Sequence, residues 1–273
     1  MMPEPTPTVR ELLAFYLEAG VDCALGEEPV NRLAEPETMP AAPEAAAPPA
    51  PPARAMPAPL PLIRGEPPPA PDAAIASARE AARTAPTLEA LRALLQTFDG
   101  CALRKTATQL VFADGNPQAR IMFVGEAPGR DEDIEGLPFV GRSGKLLDRM
   151  IAAIGLDRSS AYIANVIPWR PPGNRTPTPQ ETQICLPFIR RQIELVNPDM
   201  LVTLGNPSTQ ALLGTREGIM RSRGKWLDYD TGTRVVRALP TFHPAYLLRS
   251  PSYKRMSWQD LRAIAKVLAG VSA

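Results

Sequence analysis

Histidine is almost missing from this sequence: one, His243, in 273 residues. Cysteine is scarce too, with three at positions 23, 101 and 185 and no CxxC pair. Three such scattered Cys make no disulfide framework, and the lack of a CxxC pair together with a single His argues against a zinc site of His and Cys. No apolar run approaches the ~18 residues of a membrane-spanning helix. The opening residues MMPEPTPTVRELL lack the basic and then apolar layout of a secretory leader. The expectation is a soluble, cytoplasmic monomer with no membrane partner.

Several phosphate- and metal-binding patterns are incomplete. GRSGKLL (141–147) has Phe139 where a P-loop needs its first Gly, and Leu146 where it needs Ser or Thr. DEDIEG (131–136) begins like a calcium loop, but its twelfth position is Arg142. GEAPG (125–129) is not the dinucleotide fingerprint. A Cys–His hydrolase pairing His243 with Cys101 or Cys185 finds neither Cys in a strand-end loop.

Proline is abundant, with 33 in the chain, and fourteen of them fall between residues 34 and 72. That Ala/Pro-rich stretch reads as a disordered linker, because it offers too little apolar surface to offset its ordering entropy. It follows an N-terminal helical segment, residues 1–33, with Leu12, Leu13, Tyr16 and Leu17 on one stripe. Residues 73–273 are the expected catalytic domain. Charge is distributed unevenly. Residues 1–72 hold four Arg and no Lys against eleven acids, whereas residues 73–273 hold 26 basic residues against 18 acidic. A basic body suits a phosphate-bearing partner. The acidic tail either competes with that partner or tethers a protein through its apolar stripe.

Beyond residue 73, helical and strand periods alternate. Helical spacing covers Ala73–Phe98, with Thr87 as a cap, and then 143–154, 180–196, 207–213 and 256–268. Short apolar strands cover 120–125, 161–167, 199–205 and 234–243. This pattern predicts an α/β three-layer sandwich: a four-stranded, mainly parallel sheet with helices on both faces. In such sheets reactive groups gather beyond the carboxyl ends of the strands. Residues 125–141, 165–175 and 243–249 lie there.

Those segments read VGEAPGRDEDIEGLPFVGRSGKLLDRM (124–150), NVIPWRPPGNRTP (165–177) and FHPAYLLR (242–249). Together, over about residues 98–270, they resemble the family 4 branch of the uracil-DNA glycosylases. The resemblance implies hydrolysis of the deoxyuridine N-glycosidic bond in DNA by base flipping, the first step of base-excision repair. Phe139 is then the stacking face for the base and Asn165 the reader of its edge. His243 is the donor to uracil O2, and Gly125, Glu126 and Ala127 line the base. Glu126 and Glu132 are the candidate carboxylates for the sugar cation and the attacking water. Gly125 and Gly129 allow close backbone approach, and Pro128 and Pro138 stiffen the loop. Leu247 is the expected duplex wedge, with Arg249, Arg175 and Lys254 as phosphate contacts. Two alternatives stay open: a non-catalytic DNA-binding accessory protein on the same scaffold, and a glycosylase for another deaminated base such as hypoxanthine.

The family resemblance also implies a [4Fe–4S] cluster on four Cys. The corresponding positions here are Phe98, Cys101, Trp169 and Cys185, so two of four ligands are aromatic. Two thiolates hold such a cluster poorly. The expectation is that no metal is bound, that the chemistry needs no cofactor, and that Phe98 and Trp169 pack as core.

Overall fold

The computed structural model describes residues 71–270, which belong to the second of two units, residues 63–273. The expected N-terminal helix and linker therefore lie outside the described residues, apart from the last two linker positions. Pro71 and Asp72 open helix α1 (Pro71–Thr84).

The expected helix over Ala73–Phe98 is two helices. α1 ends before Pro86, and α2 (Leu88–Thr97) starts afresh with Thr87 Oγ1 accepting the Ala90 N–H at 3.2 Å. Pro86 cannot donate to a continuing helix, so the break follows from its ring. Ala74, Ala78 and Ala82 recur every four residues on the buried face of α1. Their small side chains seat α1 against α6 (Pro179–Val196). α6 opens with a reciprocal cap: Thr178 Oγ1 accepts the Glu181 N–H, and Glu181 accepts the Thr178 N–H.

The sheet has six strands in the order β1-β3-β2-β4-β6-β5. Its parallel centre is β3 (Tyr162–Asn165), β2 (Ile121–Gly125), β4 (Met200–Leu204) and β6 (Val235–Thr241). These are the four strands expected from the apolar runs. The two edges, β1 (Asp114–Gly115) and β5 (Leu227–Asp230), pair antiparallel and correct the strand count. β1 is two residues long, and β5 reads LDYD with a mostly exposed face, so neither carries an apolar run to recognise.

Side-chain alternation sorts β2 between two cores. Ile121 and Phe123 join Leu147, Ile151, Leu261 and Ile264, supplied by α5 (Arg142–Ala152) and α10 (Lys254–Leu268). Met122 and Val124 join Leu91, Leu95, Phe188 and Ile189 from α2 and α6. Both sheet faces are thus covered, as parallel strands require, and the three-layer architecture is the one expected. Short helices α3 (Leu103–Thr106), α4 (Arg130–Glu135), α7 (Asn206–Leu213), α8 (Ile219–Ser222) and α9 (Pro244–Arg249) fill the connections. α4 and α9 begin directly beyond the ends of β2 and β6. Among the described residues, no helix is long and apolar enough to cross a membrane.

Candidate active site

The carboxyl ends of β2, β3 and β6 surround a cavity of about 310 Å³. Register places Gly125 opposite Asn165, which brings the first two motifs together. A Cβ on Gly125 would lie 2.5 Å from Asn165 Oδ1 and 2.6 Å from the Phe139 ring. Glycine is required here because the Asn165 and Phe139 side chains converge over it. Asn165 is 5% exposed, and its Oδ1 is buried without a hydrogen-bond partner among the described residues. Such an atom carries a desolvation cost until a donor reaches it.

Phe139 has φ of +56°, a left-handed conformation unusual for a bulky residue. Two contacts hold it there. Arg158 donates to the Phe139 and Pro138 carbonyls while pairing with Asp114 at 2.5 Å and Asp148 at 2.9 Å. Gly144 packs so closely that its missing Cβ would fall 1.6 Å from the Phe139 carbonyl oxygen. The phenyl ring is thereby turned to the His243 ring, with centroids 5.4 Å apart and planes inclined by 30°.

His243 precedes α9 as its cap. Its Nδ1 accepts the Ala245 N–H at 3.1 Å, which places the neutral ring's proton on Nε2. Burial, reinforced by the Arg249 charge, pushes the imidazole pKa down to about 4. The side chain is therefore a neutral N–H donor at physiological pH. Glu126 also lines the cavity, and burial raises its carboxyl above the usual range.

Glu132 is placed differently from its neighbour. One oxygen accepts the Gly129 N–H at 3.0 Å and the other the Gly141 N–H at 3.1 Å. The carboxylate is thus tied to backbone and joins the GEAPG turn to the start of α5. Ala127, Gly129 and Glu132 also line the cavity.

The third motif requires a correction. Leu247 is 1% exposed and packs in the core with Leu147 and Ile151, so it is not presented to a duplex. Its neighbour Leu248, 36% exposed, points outward beside exposed Arg249. The segment HPAYLLR lies beyond the end of β6. It is helical after His243, and Pro244 and Leu247, three apart, share the inward face. Arg249 lines the cavity and has no ion-pair partner among the described residues. Arg175 also lines it, but its guanidinium forks onto Glu181 at 2.6 and 2.9 Å. Lys254 is exposed at the start of α10, outside the cavity lining.

Arg158 and Leu248 were not anticipated. The Ser-rich turn DRSS (157–160) hides the first, since nothing local marks an arginine that reaches back to residue 139. The second was recoverable from helical spacing after Pro244. Cys101 and Cys185 lie in the α2/α6 core, away from His243.

Residues 112–262 match the model of the uracil DNA glycosylase superfamily. The chain belongs to that superfamily. It is 43% identical over 164 residues to a type-4 uracil-DNA glycosylase of Thermotoga maritima, covering 59% of this chain and 84% of the relative. Identity is 41% over 171 residues to the type-4 enzyme of Archaeoglobus fulgidus, 61% of this chain and 86% of the relative. It is 41% over 174 residues to that of Saccharolobus solfataricus, 62% and 81%. The cavity lies within the matched span, with every lining residue between Glu126 and Arg249.

The family resemblance puts four cluster ligands at Phe98, Cys101, Trp169 and Cys185. Among the described residues no three His, Cys, Asp or Glu side chains converge as a metal site. Two of the four corresponding positions are buried aromatic rings. The residues present do not fit a four-thiolate cluster.

Proposed function

We propose that this chain hydrolyses the N-glycosidic bond of deoxyuridine in DNA, releasing uracil and leaving an abasic site. The observation that carries the reading is the unpartnered, buried Asn165 Oδ1 at the cavity wall. Uracil N3–H donates to that oxygen, and the Asn165 amide group donates to uracil O4. Cytosine presents no N3–H and sets an amino group against the amide NH2, so it is refused.

The base leaves the stack and enters the cavity. Phe139 supplies its stacking face. As the C1′–N1 bond lengthens, negative charge gathers on uracil O2, where the neutral His243 Nε2–H donates. The sugar becomes oxocarbenium-like, and water adds to C1′. Glu126, when ionised, favours that cation and orients the water. Glu132 positions the loop that carries Glu126. Leu248 takes the wedge role in place of Leu247, filling the gap in the stack. Arg249 holds a phosphate beside the flipped nucleotide. All of these roles are filled by side chains, and no step passes through an iron–sulfur group.

An oligonucleotide with one uracil, incubated with protein and then hot alkali, yields a nick at that position. Asn165→Asp, which sets a carboxylate against O4, loses most of the nicking while retaining DNA binding. Absence of cleavage on both single- and double-stranded substrates rejects the activity. Preferential release of hypoxanthine from a matched substrate would move the reading to another deaminated base.

A further inference from the structure

The four positions where the resemblance puts cluster ligands all belong to one apolar cluster here. Trp169 is 2% exposed and heads the fully buried side chains by volume. Phe98, 9% exposed, meets Phe188 edge-on with ring centroids 4.9 Å apart. The turn Phe98-Asp99-Gly100-Cys101 closes over the Phe98 ring, and a Cβ on Gly100 would lie 2.5 Å from its Cζ. A glycine is thus matched to the aromatic that replaces a cysteine two residues before it. Cys101 and Cys185 are both fully buried, and the Cys185 thiol donates to the Cys101 sulfur at 4.0 Å.

We infer that this chain completes its fold without an iron–sulfur cluster, with the Phe98 and Trp169 rings filling the space of a cluster and two of its ligands. The rings, rather than the surrounding scaffold, are what exclude iron. The inference uses family membership but not the base-excision reading. Iron content and unfolding are measured without a glycosylase substrate, so either conclusion survives failure of the other.

The full chain is purified anaerobically and assayed for iron, zinc and visible absorbance. The expected protein is colourless, without stoichiometric metal. Cys101→Ala melts close to the parent, and Gly100→Ala melts well below it, because the added methyl meets the Phe98 ring. The double variant Phe98→Cys/Trp169→Cys, supplied with iron and sulfide, turns brown and gains about four irons per chain. Should that variant not fold alone, refolding it with cobalt(II) reads the same four sulfurs through thiolate charge-transfer absorbance. About four irons in the parent, or stoichiometric zinc released by Cys101→Ala, overturns the iron-free fold. A four-cysteine variant that shows neither iron nor cobalt binding overturns the role given to the rings.

Discussion

At pH 7 the His243 imidazole is neutral, and its proton sits on the nitrogen that faces away from the Ala245 amide. Removing that donor in His243→Ala costs roughly 10²–10³ in turnover, as loss of one oxyanion donor does elsewhere; single-turnover excision measures it. The same residue links stability to acid. Its folded pKa of about 4 lies below the ordinary 6.5, so the unfolded chain takes the proton first as pH falls. Stability is full above about pH 6.5 and declines toward pH 4, by at most ~3 kcal/mol. His243→Asn keeps a cap for the Ala245 N–H and does not titrate. Its denaturation midpoint should show less decline over that interval. Glu126 works in the opposite sense. Burial favours its neutral form, so a mechanism needing the carboxylate gains rate as pH rises through a raised carboxyl pKa. The acid limb of kcat/KM should sit above the usual carboxylate range and disappear in Glu126→Gln, at a lower plateau.

Helical spacing after Pro244 decides which of two adjacent leucines is exposed. Leu247→Ala empties a core position and should cost about 2–5 kcal/mol in urea unfolding. Leu248→Ala should leave the midpoint alone and weaken excision from duplex more than from single strands, where no stack has to be plugged. Reversal of the two phenotypes would restore Leu247 to the wedge. The Phe139 turn is a second test. Gly144→Ala drives a methyl into the Phe139 carbonyl, and Arg158→Ala frees that carbonyl. Both should raise KM for uracil DNA, and Gly144→Ala should destabilise by more than ~2 kcal/mol. These loops also mark the limit of sequence legibility. The residues that gather at the cavity, Glu126, Asn165 and His243, were readable because their motifs stand at strand ends. The strained φ of Phe139 and its support from Arg158 were not, since they depend on a contact between segments 19 residues apart.

At the scale of the whole molecule, the parallel centre of the sheet was legible because each of its strands is a buried apolar run. The edges were not: β5 alternates half-buried Leu227 and buried Tyr229 with exposed aspartates, too short a pattern to recognise, and is held by pairing with β6. The break at Pro86 and Thr87 was visible as a cap but was absorbed into a longer helical period. Every cavity-lining residue lies between positions 126 and 249. A chain starting at residue 71 should therefore excise uracil at the parent kcat. Measuring its affinity across salt concentrations tells whether the acidic first 70 residues compete with DNA. A slope unchanged from the full chain removes competition. The buried rings of Phe98 and Trp169 bear on supply as well as stability. A glycosylase finished by its own aromatic side chains is complete when translation and folding are complete. Its specific activity should then stay constant in cells starved of iron or deprived of cluster-assembly machinery. Peroxide and nitric oxide would find no inorganic core to dismantle, so the repair step would persist under oxidative and nitrosative stress.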